Sequence, residues 1–392
     1  LIPIAVGVAA GTITGLVPGI HINLVAATTI AYLPLLLKLT TPETIAIGIF
    51  AMGITHTFAD FIPSTYLGAP SEDTAISLLP AHEYLLKGEG HKAIKFSILG
   101  SFMGLLLTVV FLPIFLLFTK NAYTTISNYI PTILIAIVAY SILKEKNITK
   151  TLLMVVLATA LGITVLQPKV ENPLLPMFSG LFGTSTLILS IKNKIKLPHQ
   201  KTNSTIQIEK RPFIKTLMVA LPCSTMVGFL PGVSTAQSAA ISTSILKNLT
   251  KKYYIILVSS INTIVMLISI VALYTINKTR NGAAIAISQI ITNTHIQLTT
   301  FIATALIAGA AAAIITLKTS KNIGHQMKKI NYQTLCITII LLITTITMII
   351  TGLQGLLILA TATAIGIACP LLGVSRNILM VSLIIPIILY FI

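Results

Sequence analysis

Gly11-Thr-Ile-Thr-Gly15-Leu-Val-Pro18-Gly19-Ile-His21-Ile-Asn23 decides how this chain of 392 residues is read. An apolar helical run reaches Pro18-Gly19 and is followed at once by His21 and Asn23. Proline removes a backbone donor and clashes with the preceding turn, while glycine tolerates unusual backbone angles, so the pair is expected to unwind one helix and start another. The pattern returns as Thr225-Met-Val-Gly228-Phe-Leu-Pro231-Gly232-Val-Ser234-Thr235-Ala-Gln237. Unwound backbone in lipid leaves polar groups unpaired and is tolerated only where protein or a water-filled cavity surrounds it. Two such breaks at corresponding positions of two halves point to a transporter's binding site.

Composition supplies the setting. The chain is 55% hydrophobic and 9% charged, with a mean hydropathy of +0.95, well beyond a soluble domain. Apolar runs long enough to span a bilayer recur throughout, and the fold class is an all-α polytopic membrane protein with about 10–12 transmembrane helices. The expected location is the cell membrane, multi-pass. The longest polar segment, Lys192 to Lys215, is too short for an appended catalytic domain. The chain opens on Leu1 inside an apolar run, so its start reads as trimmed, and no cleaved signal peptide is evident. Cys223, Cys336 and Cys369 sit in apolar segments without CxxC spacing, which fits core residues rather than a disulfide framework or a zinc site.

The formal charge of +17 comes from Lys and Arg residues in short connections between apolar spans, which fits membrane orientation better than nucleic-acid binding. The chain divides into a first repeat over residues 1–191, a basic cytoplasmic linker over 192–212 and a second repeat over 213–392. The first repeat holds a broken hairpin (1–37), a helix from Pro42 to about Phe61 and a polar, turn-rich stretch (63–90) that reads as re-entrant. Spans then follow at 95–118, 123–143, 152–166 and 174–191. The second repeat holds a broken hairpin (213–246), a span at 253–276 and a polar re-entrant stretch (281–297). Its remaining spans are 300–317, 335–350, 353–369 and 378–392. Placing the linker lysines inside puts Lys87, Lys95, Lys144, Lys150, Lys251, Lys318 and Lys329 on the same side. The helix from Lys95 then runs outward and that from Thr300 inward, so the halves are expected to be inverted-topology repeats, an arrangement many secondary transporters use.

Gly11-xxx-Gly15-xx-Pro18-Gly19 and Gly228-xx-Pro231-Gly232 are accompanied by Leu67-Gly68-Ala69-Pro70-Ser71-Glu72-Asp73-Thr74-Ala75, Leu79-Pro80 and Lys87-Gly88-x-Gly90-x-x-Ala93. In order and spacing, across nearly the whole chain, these resemble the large membrane subunit of the tripartite tricarboxylate transporter family, in particular its archaeal single-chain branch. The resemblance implies a cation-coupled carrier for citrate-like di- and tricarboxylates. In bacteria such a subunit works with a small membrane subunit and an extracytoplasmic binding protein. His21 and Asn23 stand where many members carry small residues, and Glu72-Asp73 places two acids in the third block.

A bared helix N-terminus offers amide donors and partial positive charge to a carboxylate or phosphate. The candidate substrate site is therefore Pro18, Gly19, His21 and Asn23 facing Pro231, Gly232, Ser234, Thr235 and Gln237, completed by Ser71, Thr74 and Asn293 from the re-entrant stretches. Simple proline kinks that shape packing are the alternative. Asp60 and Asp73 are the candidates for the coupling ion, Na+ or H+, because ionisable groups in a membrane are costly and by default functional. His56 and Asp60 share a helix face at i, i+4, but no further ligands accompany them, so no metal and no covalent cofactor is expected. The expected partners are a small anion and the bilayer, not nucleic acid; a homodimer is compatible, and a soluble binding protein is left open. Two rival functions remain. Pro231-Gly-Val-Ser234 also resembles polyprenyl-phosphate translocases, which carry a lipid-linked phosphate. An intramembrane enzyme using Asp60, Asp73 or His56 is disfavoured by the lack of a paired-aspartate motif, HExxH or a Ser/His dyad at helical spacing.

Overall fold

The computed structural model describes residues 1–17, 29–30, 32–68, 78–127, 129–166, 173–192, 198–229, 235–246, 249–277, 281–291, 297–327 and 331–391. Among them the chain is helical and contains no strand. Its longer helices are α1 (Ile2–Leu16), α2 (Pro42–Ala59), α3 (Leu78–Leu86), α4 (Gly90–Ser127), α5 (Ile130–Leu143), α6 (Ile148–Val165) and α7 (Leu174–Lys192). The second part of the chain supplies α8 (Lys210–Phe229), α9 (Thr235–Ile245), α10 (Lys251–Ile276), α11 (Gly282–Ile290), α12 (Leu298–Gln326), α13 (Tyr332–Leu371) and α14 (Val381–Phe391). Among the described residues seven helical segments are long and apolar enough to cross a bilayer, and shorter apolar helices cover Ile2–Leu16, Leu134–Leu143 and Ile378–Leu389. The chain is an all-α polytopic membrane protein.

A helix that is apolar on every side has to be enclosed, and α10 is the case here. Its residues from Ile255 to Leu273 are buried without interruption. Close approach of neighbouring backbones makes this possible. Gly100 and Gly104 of α4 face Ser259 and Ser260: a Cβ on Gly100 would overlap the Ser259 hydroxyl and the Ile256 carbonyl, and one on Gly104 would lie 3.0 Å from Ser260 Cα. The Ser101 hydroxyl then donates to the Ser259 carbonyl at 3.2 Å. Small residues at four-residue spacing let membrane helices pack in this way. The same device joins α1 to α2, where Gly7, Gly11 and Gly15 run along Gly48, Ala51, Met52, Thr55 and Ala59.

Two breaks shape the remaining spans. α13 has 40 residues, about 60 Å at the helical rise and roughly twice the hydrocarbon thickness. Gly352, at φ 63° and ψ −158°, divides it into two helices, as the separate spans at 335–350 and 353–369 lead one to expect. α2 behaves differently from its sequence reading. Instead of stopping near Phe61 it continues into a π-helical turn over Pro63–Leu67, closed by Gly68 in the left-handed region at φ 65°. Proline cannot donate to the preceding turn, and a wider π register accommodates the missing bond.

One end of the bundle is strapped by the linker. The Lys201 amide donates to the Gly88 carbonyl at 2.7 Å, the Gln200 side chain bonds both the Gly90 amide and the Leu85 carbonyl, and Lys95 Nζ reaches the Ser204 carbonyl. Thr202 lies 3.2 Å from His325 near the end of α12, while Glu209 engages Lys252 and Tyr253 at the start of α10. α4 and α10 therefore start at the end where α12 finishes. Here too His82 of α3 is buried and pairs with the Tyr332 hydroxyl at 2.8 Å. Burial pushes its imidazole down to about 4, and the Arg376 charge acts the same way.

Adding a methyl at Gly11 drives it against Met52 and Thr55, whereas a Cβ at Gly48 meets Pro3 O at an ordinary 3.6 Å. Gly11→Ala is expected to cost about 1–3 kcal/mol and Gly48→Ala to be neutral or stabilising, read as thermal midpoints of the purified protein. A histidine held neutral by burial stabilises the fold above its unfolded pKa and stops doing so as pH falls through its folded one. Stability is therefore expected to fall on acidification from pH 6.5 towards about 4 by up to about 1.4 kcal/mol per unit, and His82→Gln should flatten that limb.

Candidate functional site

Asn262 and Thr263 lie in the middle of α10, shortly after Ser259 and Ser260 in a largely apolar run. By the helical rise Asn262 is roughly 16 Å along the axis from Lys251, close to half the depth of a bilayer's hydrocarbon layer. An amide at that depth needs a partner from protein. Asn262 Nδ2 donates to Asp60 Oδ2 at 3.2 Å, and both residues are buried. One register away, the Thr57 and Thr263 hydroxyls pair at 3.1 Å. On α2, His56 stands one turn before Asp60, and its Nδ1 lies 3.1 Å from the Thr14 hydroxyl of α1. Three helices thus meet through buried polar side chains: Thr14 from α1, His56, Thr57 and Asp60 from α2, Asn262 and Thr263 from α10.

The backbone at Asp60 is also unusual. Its carbonyl accepts from the Ser64 hydroxyl at 3.1 Å as the helix passes into the π turn. On its other side Gly15 packs so closely that a Cβ there would lie 3.1 Å from the Asp60 amide. The α1 residues that lead into Pro18 therefore run against the aspartate. In the second half, Gly228, near the end of α8 and just before Pro231, packs on Ile268 of α10. Ile268 lies about 9 Å along the helix from Asn262. The α8 and α9 arms come together through Ser224 and Ser238, 3.4 Å apart. Gly15, shortly before Pro18, and Gly228, shortly before Pro231, thus pack on α2 and on α10 beside this polar cluster.

Of the residues singled out in the sequence, Asp60 is in this cluster and Thr235 is buried at the start of α9, which also contains Gln237. Pro18, Gly19, His21, Asn23, Ser71, Asp73, Thr74, Pro231, Gly232, Ser234 and Asn293 lie outside the described residues. Asn262, Thr263, Thr57 and Thr14 were not singled out. The available signal was Asn262 itself, a primary amide within a predominantly apolar span.

The chemistry is that of a carboxylate held at membrane depth by an amide donor, with hydroxyls and an imidazole nearby. Such a group can hold a proton or a monovalent cation, since carboxylate, amide and hydroxyl oxygens are hard donors. The comparisons with known proteins bear on what that serves. The chain matches the Tripartite tricarboxylate transporter TctA family over residues 1–381. It belongs to this family. It is 33% identical over 402 residues to "Uncharacterized protein MJ1079" of Methanocaldococcus jannaschii, covering 100% of this chain and 98% of that relative. No solved structure matches it. The family is one of transporters, and its members work within a tripartite system that includes a soluble binding protein. At family level the chain is a tricarboxylate-transporter component of the membrane.

Removing the Asn262 donor leaves a buried carboxylate short of a bond, a loss of about 1–3 kcal/mol. Asn262→Ala is expected to lower the thermal midpoint. Asp60→Asn combined with Asn262→Ala should cost less than the sum of the two single changes, with a coupling of about 0.5–3 kcal/mol in a double-mutant cycle.

Proposed function

We propose that the protein is a secondary active carrier for a small organic anion of the di- or tricarboxylate class, driven by Na+ or H+. In this reading the two halves are inverted repeats that alternate access around a midplane site made by the Pro18-Gly19 and Pro231-Gly232 breaks. His21, Asn23, Ser234, Thr235 and Gln237 donate to the anion, and Ser71, Thr74 and Asn293 complete its surroundings. Asp60, with Asp73, serves the coupling ion, and Asn262 holds the Asp60 carboxylate in place. The linker faces the cytoplasm, and a soluble binding protein delivers the cargo where one is present. The observation that carries the reading is Asp60 itself, buried in a span, hydrogen-bonded to Asn262 across to the second half of the chain, and packed against the residues leading into the first break. Buried intramembrane carboxylates of this kind mark ion pathways in transporters.

The reading is tested with the full chain in proteoliposomes, following labelled citrate under an imposed Na+ or pH gradient. Gradient-driven uptake is expected, with Asp60→Asn abolishing the response to the gradient while citrate exchange at equal concentrations on both sides survives. Asn23→Ala, Ser234→Ala and Gln237→Ala should each lower uptake by at least about tenfold, the worth of a hydrogen bond to a charged group. Unchanged uptake in all three would remove the site assignment. Flipping of a polyprenyl phosphate with no response to citrate would instead favour the lipid-linked cargo.

A further inference from the structure

Arg376 opens the 3-10 turn Arg376–Met380 between α13 and α14, and only 7% of it is exposed. A guanidinium carries five N–H donors in a planar fork and stays charged under all ordinary conditions. Among the described residues it makes one hydrogen bond, from Nη1 to the Thr186 hydroxyl of α7, and no carboxylate pairs with it. An acid is at hand: the neighbouring Ser375 amide donates to Glu145 Oε2 at 3.3 Å. The guanidinium does not pair with it and is directed to the interior instead. Among the described residues the charge is buried without a counter-charge, an arrangement that is heavily penalised.

The surroundings suit an anion. Thr186 accepts from Arg376 and donates to the Phe182 carbonyl, which orients its hydroxyl on the guanidinium, whose other N–H groups have no hydrogen-bond partner among the described residues. His82, 4% exposed and paired with the Tyr332 hydroxyl, is close enough for the Arg376 charge to act on its imidazole. The imidazole stays neutral near pH 7, so of these four side chains, Arg376, Thr186, His82 and Tyr332, only Arg376 is charged. Gly68, in the left-handed region, lies where an added Cβ would meet Leu187 Cδ2 at 3.0 Å and His82 Cε1 at 3.9 Å, which places His82 beside the residue that follows Thr186.

We propose that Arg376, oriented by Thr186 and set beside the His82–Tyr332 pair, is a second anion site that takes one carboxylate or phosphate group, distinct from the Asp60–Asn262 cluster. The planar fork matches two oxygens of such a group at once. Thr186 is a positioning residue. The anion has two sources, a free carboxylate or phosphate and the phosphate of a lipid headgroup, and the site does not depend on the carrier reading.

Thermal unfolding of the purified full chain in detergent tests this, with sodium citrate or sodium phosphate against sodium chloride at matched sodium and ionic strength. A parallel arm compares the protein in phosphatidylglycerol and phosphatidylcholine vesicles. A ligand that binds the native state raises the midpoint by mass action, so a rise of several degrees is expected with citrate or phosphate if the source is a free anion, and with phosphatidylglycerol if it is a lipid. Arg376→Gln should weaken the apparent affinity at least about tenfold, Arg376→Lys should retain part of it, and Thr186→Val should weaken it without removing the charge. A wild-type protein indifferent to all three anions overturns the site, as does an Arg376→Gln response equal to the native one. If Arg376→Gln does not fold, native responses in both Arg376→Lys and Thr186→Val overturn it equally.

Discussion

A transmembrane helix that touches no lipid must find a partner for every polar group within the protein, and α10 shows how the rest of the fold answers that constraint. Its serines satisfy themselves: Ser259, Ser260 and Ser269 donate to carbonyls three or four residues back on their own helix. Such back-bonding asks nothing of neighbouring helices. Asn262 cannot be satisfied so easily, because a primary amide has two donors and an acceptor to place. It reaches across to Asp60, and Thr263 reaches Thr57. These two contacts fix the register of α2 against α10, since sliding either helix by one residue would break both.

The glycine seams act on the same point from the other side. Gly7, Gly11 and Gly15 sit on one face of α1, so its backbone lies almost directly on α2. Dispersion and close packing replace the hydrophobic effect as the force between membrane helices, and small residues maximise both. The consequence is local and specific. α1 is held against α2 along its length, and its last turn arrives beside Asp60, so Gly15 lies next to the polar cluster. Sequence spacing at the glycines and chemistry at the aspartate are two parts of one arrangement.

Most of the helical plan was legible because hydropathy reports what faces lipid or core, and the seven long apolar segments coincide with spans read from the sequence. Hydropathy fails where a helix leaves the membrane. α4 runs on to Ser127 and α12 to Gln326, the latter past the exposed Lys318, because a helix needs only its own backbone bonds and a solvated charge does not end it. Pro63 misled for a related reason: proline disrupts an α register, but a π turn absorbs it and the helix continues to Leu67. Asp60 was visible as a charge within a span. Asn262 was averaged away by the isoleucines around it, and Arg376 read as one more basic loop residue, because burial and the choice of partner are properties of packing that no local pattern encodes.

On the carrier reading, the position of Asp60 explains why transport of an anion would be tied to a cation. A carboxylate near the midplane repels a carboxylate guest. Two unit charges about 6 Å apart at an effective dielectric constant near 20 interact by roughly 3 kcal/mol, more than a hundredfold in affinity. A proton or Na+ on Asp60 removes that repulsion, so anion and cation bind better together than apart, and linkage requires the effect to be mutual. Asn262 adds to this by anchoring the carboxylate through one oxygen, which keeps the charge at the place where the guest would feel it most. A neutral polar residue at position 60 would bind the anion without sensing the cation. The pairing of a buried acid with an anion carrier, which looks self-defeating as a static arrangement, is the simplest physical means of coupling the two.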